Sequence, residues 1–362
     1  MSLLRNSVAT LFGRSNHSKR RENIVAIDLG AEHTKAVYLQ RKSDRCLLAG
    51  YARLDTPTGP NPYAPEILGP HLRAVVNATG ARTRRITLVV GPNDALIRHA
   101  EMPMVPVPDM RIMLKLGSKT YLQQDLPDHL FDCHLQSLLT ETKKPESNRT
   151  LQKCRVLVGG VKRQFLENLR AAARQADLSL DTVTSSLIAP ANAFEMAFPD
   201  AFAAAIVALV DIGAKTSTIT ILLNGQVILN RIVNFGSARV VQGVQEALGV
   251  DAKSLGGLQN IPATDLEGVL PALLIPLGRE LRASIDFFEH QEDKQVAQAF
   301  FSGGLARLEP AVQALQSELM VPCQTWNPLS FLQFALPPEQ LGEIEGLAPQ
   351  LTIAVGGAIA AF

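Results

Sequence analysis

The chain has 362 residues, 46% of them hydrophobic and 19% charged, with a formal net charge of +1. That length suits two lobes better than a single core, and the near-neutral balance gives no electrostatic reason to expect a nucleic-acid partner. Cys46, Cys133, Cys154 and Cys323 lie far apart with no CxxC or metal-ligand spacing and read as reduced thiols; no apolar run approaches the roughly 20 residues needed to cross a bilayer. Residues 1–22 differ in character from the remainder of the chain. Leu3, Leu4, Val8, Leu11 and Phe12 share a helical face while Arg5, Arg14, Lys19, Arg20 and Arg21 make the segment basic. It reads either as a solvated tail or as an amphipathic segment for an anionic membrane surface, and Arg5, Asn6 and Arg14 interrupt any signal-peptide core.

From residue 23 an apolar strand runs to Asp28-Leu29-Gly30, followed by Ala31-Glu32-His33-Thr34 and a second strand from Lys35 to Leu39. The Pro-rich stretch 56–70 predicts a loop, residues 71–79 a helix, and Ile86 to Gly91 a buried strand. Residues 95–100 predict a strand that Met102-Pro103-Met104-Val105-Pro106 stops, residues 108–124 a helix, and residues 135–140 and 154–158 paired strands around the polar loop 143–149. Residues 162–177 carry Phe165, Leu166, Leu169, Ala172, Ala173 and Ala176 on one face, a core-packing helix. Residues 183–194 predict a second helix, interrupted by Pro190, between the lobes.

A second strand then ends in Asp211-Ile212-Gly213, crosses Ala214-Lys215-Thr216-Ser217, and resumes as Thr218 to Leu223; Asn224-Gly225 turns it into a third strand. Helices are expected at 240–248 and within 265–291. Ala299 to Phe301 leads into Ser302-Gly303-Gly304, and Val355-Gly356-Gly357-Ala358 opens a closing helix whose small residues permit a close crossing. In each Asp-x-Gly hairpin the glycine lets backbone approach an anion, and the aspartate can hold a cation directly or through water. Two such units imply two related lobes turned toward one cleft. The divisions expected are 1–22, 23–200 and 201–362.

Asp28-Leu29-Gly30, Asp211-Ile212-Gly213-Ala214 and Ser302-Gly303-Gly304, in this order, resemble the two phosphate loops and the adenosine loop of the actin-like ATPase superfamily. Within it the chain is similar to the PilM family of type IV pilus assembly, with the FtsA proteins of cell division more distant. The run from Glu280 to Glu289 and the Met-Pro turn before residue 108 carry that likeness. The resemblance implies an α/β, two-lobed actin-like ATPase fold with a small FtsA/PilM-type inserted subdomain at 94–160. It implies ATP and Mg²⁺ as cofactors, with phosphate and Mg²⁺ at Asp28, Gly30, Lys35, Asp211, Gly213, Thr216 and Ser217. The metal would lie at Asp28 and Asp211, and adenosine at Ser302, Gly303 and Gly304.

Some positions depart from the family pattern. Ala31, Glu32 and His33 replace small and hydroxyl residues, Ser186 takes the place of an acidic residue, and Gly256 and Gln259 stand where a Glu and a Lys usually face ribose and base. These departures count against hydrolysis, and no catalytic residue is assigned. The implied function is a cytoplasmic scaffold, peripheral at the inner membrane. It would bind the cytoplasmic segment of a PilN-like single-span membrane protein and connect to pilus motor ATPases. That segment is expected to dock between the insert and the first lobe. A slow ATPase or small-molecule kinase of the same superfamily, and the related type II secretion component, are the alternatives.

Overall fold

Largely apolar, buried runs at Asn23–Leu29 (β1) and His33–Lys42 (β2) form the first hairpin, and β2 pairs onward with Arg45–Asp55 (β3). The computed structural model describes residues 21–42, 45–138, 152–250 and 257–362. Most of the basic leader, the loop 143–149 and Gly256 therefore lie outside the described residues. Arg21, read with the leader, donates from Nη1 to the Ala361 carbonyl at 3.0 Å and so ties the segment before β1 to the Ala361 backbone.

A helix at Pro65–Ala78 (α1) leads to Arg85–Val90 (β4), parallel to β1. The sequence placed the start of this helix at 71. It begins earlier because Pro65 sits in the first turn, where a missing N–H costs nothing. The chain then leaves the first sheet through Ala95–Pro103 (β5), Val107–Leu122 (α2), His129–Leu138 (β6) and Lys153–Lys162 (β7). These strands make a three-stranded sheet in the order β5-β7-β6. β5 continues through Pro103, where the sequence stopped it near residue 100; Pro103 ends an outer strand and is tolerated there. Met110 and Leu114 of α2 pack with Met102, Cys133, Cys154 and Val156 into a separate small core.

Arg163–Gln175 (α3) returns to the first lobe and leads to Ser179–Ser185 (β8), Ala189–Ala197 (α4) and Pro199–Ala204 (α5). The expected helix over 183–194 is thus corrected. Thr182 to Ser185 pair parallel to Thr87 to Val90 as β8, and the β-branched run is used by the sheet rather than by helical periodicity. Pro190 lies in the first turn of α4 and interrupts nothing. The first sheet runs in the order β3-β2-β1-β4-β8, with one further short strand added beside β3 later in the chain.

The second lobe opens with Ile206–Ile212 (β9), Ser217–Leu223 (β10) and Gln226–Val233 (β11), then Ser237–Leu248 (α6) and the long helix Ala263–Glu292 (α7). Gln298–Gly303 (β12), Glu309–Leu319 (α8) and Cys323–Thr325 (β13) complete a sheet in the order β11-β10-β9-β12-β13. Its core joins Val210, Ile219 and Phe301 to Leu274, Leu281 and Ile285 of α7. The chain then crosses back: Gln333–Phe334 (β14) pairs with β3 of the first sheet. Pro338–Leu347 (α9) and Thr352–Ala361 (α10) follow. The helical run Pro338–Ala361 is long and apolar enough to cross a membrane, but 72% of its qualifying 18-residue window is buried inside the protein.

Besides the pairing of β14 with β3, two close contacts help fix the lobes to one another. α10 crosses α4 so closely that a Cβ on Gly356 would lie 1.7 Å from the Ala189 carbonyl oxygen. Gln136 of β6 donates from Nε2 to Val227 O at 2.7 Å while Gln226 donates to Gln136 O at 2.9 Å, clasping the insert to the edge of β11. A Gly356→Val substitution is expected to destabilise the protein by on the order of 3 kcal/mol, because backbone, not a flexible side chain, blocks the added methyls. Urea unfolding measures this, and an unchanged midpoint would show that the helices can separate at little cost.

Candidate functional site

Both Asp-x-Gly turns lie where the lobes approach, and each is shaped by its glycine. A Cβ on Gly30 would lie 2.4 Å from His33 O, and one on Gly213 would lie 2.8 Å from Thr216 O. At the third loop Gly303 has φ +92°, and its Cβ would meet Ile212 O at 2.2 Å, so β12 passes β9 without side-chain room. Gly304 is exposed with open space above it. A flat ligand could lie against the backbone there.

The charged groups converge on one ammonium. Lys35 stands directly across the β1–β2 ladder from Asp28, and its Nζ lies 2.8 Å from Asp28 Oδ2. Asp28 is only 5% exposed. Burial pulls the Lys35 ammonium down, but Asp28 and then Asp211 outweigh it and hold its pKa above the ordinary value. Asp211, on the second lobe, is pushed up by burial, against the opposing pull of Lys35 and of a hydrogen bond from Ser302. Ser302 Oγ donates that bond to Asp211 Oδ1 at 2.8 Å. Lys35 is thus ion-paired with Asp28 of its own lobe and lies within electrostatic reach of Asp211 on the other.

The remaining expected residues divide. Gly213 N–H donates to Thr216 O at 3.1 Å, closing the second turn. Ser217 is buried, and its Oγ donates to Phe235 O at 2.7 Å, so this hydroxyl holds the hairpin to the segment before α6. The Gly213 and Ala214 carbonyls accept from the Ser237 and Ala238 amides, which caps the start of α6. Ser302 is likewise engaged with Asp211, although the sequence grouped it with Gly303 and Gly304. Among the departures, Glu32 is exposed, Gln259 is exposed in a 3₁₀ turn, and Ser186 follows β8 with a buried Oγ that has no partner.

A hydroxyl relay behind the first loop was not legible in the sequence. Thr56 Oγ1 donates to Gly30 O at 2.7 Å, so Thr34 Oγ1, 3.0 Å away, donates to Thr56, and His71 Nε2 donates to Thr34 at 2.8 Å. Burial holds the His71 pKa below its ordinary value. The relay pins the Gly30 carbonyl and with it the turn. These residues and Lys215 of the opposite loop border a cavity of about 240 Å³. No local pattern links His71 to residue 34; only the packing of α1 on the sheet does.

The donor set suits a phosphate chain: a partly buried ammonium, two glycine turns and a third glycine loop. Mg²⁺ takes one or two carboxylates together with phosphate oxygens and water, which Asp28 and Asp211 could supply. Among the described residues no group of three or more His, Cys, Asp or Glu side chains gathers as a metal site by itself.

Two lobes, two Asp-x-Gly hairpins and a glycine loop define an actin-like ATPase fold. Residues 26–362 match the family model of the type IV pilus assembly protein PilM. The chain belongs to this family. Its structure superposes on a PilM–PilN type IV pilus biogenesis complex with a TM-score of 0.76 at 18% identity, covering 94% of this chain and 98% of that one. The ethanolamine utilization protein EutJ from Carboxydothermus hydrogenoformans matches with a TM-score of 0.50 at 12% identity, covering 99% of this chain and 94% of the other. At such identities these likenesses speak for the fold.

The cleft predicts a split between stability and function. Lys35→Met leaves Asp28 buried and unpaired, and should cost about 3–5 kcal/mol. Asp211→Asn should instead raise the melting temperature at pH 7. A carboxyl whose folded pKa is raised contributes stability at low pH and loses it as pH rises, so removing the charge restores that loss. The gain should vanish as pH falls through the carboxylate range. Melting curves of both variants between pH 3 and 8 check this; a destabilised Asp211→Asn at pH 7 would contradict it.

Proposed function

We propose that this chain is a cytoplasmic scaffold of type IV pilus assembly, peripheral at the inner membrane. It binds the short cytoplasmic segment of a PilN-like single-span membrane protein and connects it to the pilus motor ATPases. Membership in the PilM family supports the machine, and a solved complex of PilM with PilN supports the partner. The observation that carries the docking reading is the inserted sheet, in which β5 and β6 are both terminal strands. Terminal strands offer main-chain groups for strand addition, and neighbouring apolar side chains can read alternate residues of the added segment. The segment would lie beside β6, on the side of the insert toward the first lobe, where Leu130 packs against the first-lobe core.

ATP would sit in the cleft, its phosphates held by Lys35 and the turns at Gly30 and Gly213, its adenosine against Gly303 and Gly304. Mg²⁺ would arrive with the phosphates, between Asp28 and Asp211. Bound, it would neutralise phosphate charge. Asp28 faces Lys35, Asp211 is bonded to Ser302, and the family's acidic position carries the hydroxyl of Ser186. No carboxylate among these is left to orient an attacking water, and hydrolysis is expected to be very slow.

A fluorescent peptide from the cytoplasmic end of the neighbouring PilN-like protein should bind the full chain saturably. Binding should change little between 50 and 500 mM salt, because apolar burial and main-chain hydrogen bonds carry it. Absence of saturable binding would overturn the scaffold reading. In a phosphate-release assay, turnover approaching the ~10 s⁻¹ of a typical enzyme would favour an ATPase instead.

A further inference from the structure

The turn between β1 and β2 is held by one residue of a neighbouring loop. The ladder closes with Leu29 opposite Thr34, and residues 30–33 connect them. Thr56, the first residue after β3, bonds to this connection twice. Its amide donates to Glu32 O at 2.8 Å, and its Oγ1 donates to Gly30 O at 2.7 Å. Two carbonyls of the turn are therefore drawn toward Thr56.

A peptide plane with a fixed carbonyl has a fixed amide as well. In a trans unit the N–H points opposite to the C=O, so holding Gly30 O on Thr56 directs the Ala31 N–H away from Thr56. Ala31 is exposed and lies outside both strands. Among the described residues no backbone acceptor takes its N–H. The turn also abuts the carboxylate of the cleft: a Cβ on Gly30 would stand 3.8 Å from Asp28 Oδ2. With the carbonyl side closed by Thr56, the amide side is the one left for a ligand.

The hold has a direction. Thr56 has one hydroxyl proton and gives it to Gly30 O, so Thr56 accepts from Thr34, and Thr34 accepts from His71 Nε2. That order fixes neutral His71 as the Nε2–H tautomer. Thr34 is fully buried, so its hydroxyl depends on His71 for a donor. Each link orients the next, and bonds in such a chain polarise one another. Gly30, Thr34, Thr56 and His71 all border the 240 Å³ cavity. Truncating one of these side chains opens onto existing space rather than into a packed core.

We propose that Thr56, Thr34 and His71 are positioning residues of the nucleotide site, which aim the Ala31 amide at a phosphate oxygen. The proposal rests on the reading of the cleft as a nucleotide site and adds the residues that set its first turn. An amide bonded to a charged oxygen makes one of the stronger hydrogen bonds. The direction of one peptide plane, rather than the side chains at Ala31 and Glu32, then carries the phosphate contact. Departures from small and hydroxyl residues at those positions are compatible with binding on this account.

The test is calorimetric titration of Mg-ATP into the full chain and four variants. Thr56→Val keeps the shape but removes the hydroxyl, and should weaken binding at least tenfold. Thr56→Ser restores the hydroxyl and should bind within threefold of the wild type. His71→Met should weaken binding in the same way, and His71→Gln, which keeps an N–H donor near the place of Nε2, should recover most of it. A merely structural hold would move the melting temperature without this pattern of rescue in affinity. Nitrogen NMR of the wild-type histidines needs no variant: His71 should be the Nε2–H tautomer at neutral pH. An Nδ1–H tautomer would overturn the proposal. Equally tight binding by the wild type and a folded Thr56→Val would overturn it too, and would leave the nucleotide site standing. No saturable heat in the wild type would overturn the nucleotide reading and this proposal with it.

Discussion

Everything in the cleft depends on the charge of Lys35. Asp28 comes from the first lobe and Asp211 from the second, and both are held in surroundings that disfavour an isolated carboxylate. The ammonium touches Asp28 at 2.8 Å and is held protonated by both acids against its own burial. A pair of this kind contributes little net stability, because desolvation offsets much of the attraction; removing one partner is what costs heavily. The proposed nucleotide would give such a pair a use. A polyanion with its cation adds opposite charges on both sides of the cluster and relieves the repulsion between the two aspartates.

The rest of the fold brings those two acids together. β1 and β9 each deliver an aspartate at a strand end, and glycine turns follow because no side chain fits against the next carbonyl. The lobes are joined where α10 crosses α4 at Gly356, and again where Gln136 of the insert clasps the edge of β11. The insert is consequently tied to both lobes: it grows out of the first and bonds to the second. A segment bound at the insert, as proposed, would act on the same relative placement of lobes that sets the spacing between Asp28 and Asp211. That shared dependence gives a physical route by which partner and nucleotide could sense each other, without any wire of residues between them.

Much of this was legible in the sequence where a local pattern sufficed. The two Asp-x-Gly hairpins, the glycine loop after β12, the long α7 and the small residues of α10 all carried recognisable spacing. The legible part ended where partners lie far apart in the chain. Thr182 to Ser185 have no pattern that separates a parallel strand from a helix until β4 is beside them. Proline suggested a loop across 56–70, yet Pro65 only marks the first turn of α1. Ser217 and Ser302 were grouped as ligand contacts by position, whereas their hydroxyls are bonded to Phe235 O and to Asp211. The relay from His71 through Thr34 and Thr56 to Gly30 joins separate elements, and no single stretch encodes it.

The central claim is that the cleft charges are kept for a nucleotide rather than for stability. Calorimetric titration of Mg-ATP into the wild-type chain and into a folded Asp211→Asn variant tests it most directly. Saturable heat in the wild type, with affinity at least tenfold weaker or lost in the variant, is the predicted result. Equal heats in the two proteins, or none in the wild type, would contradict it.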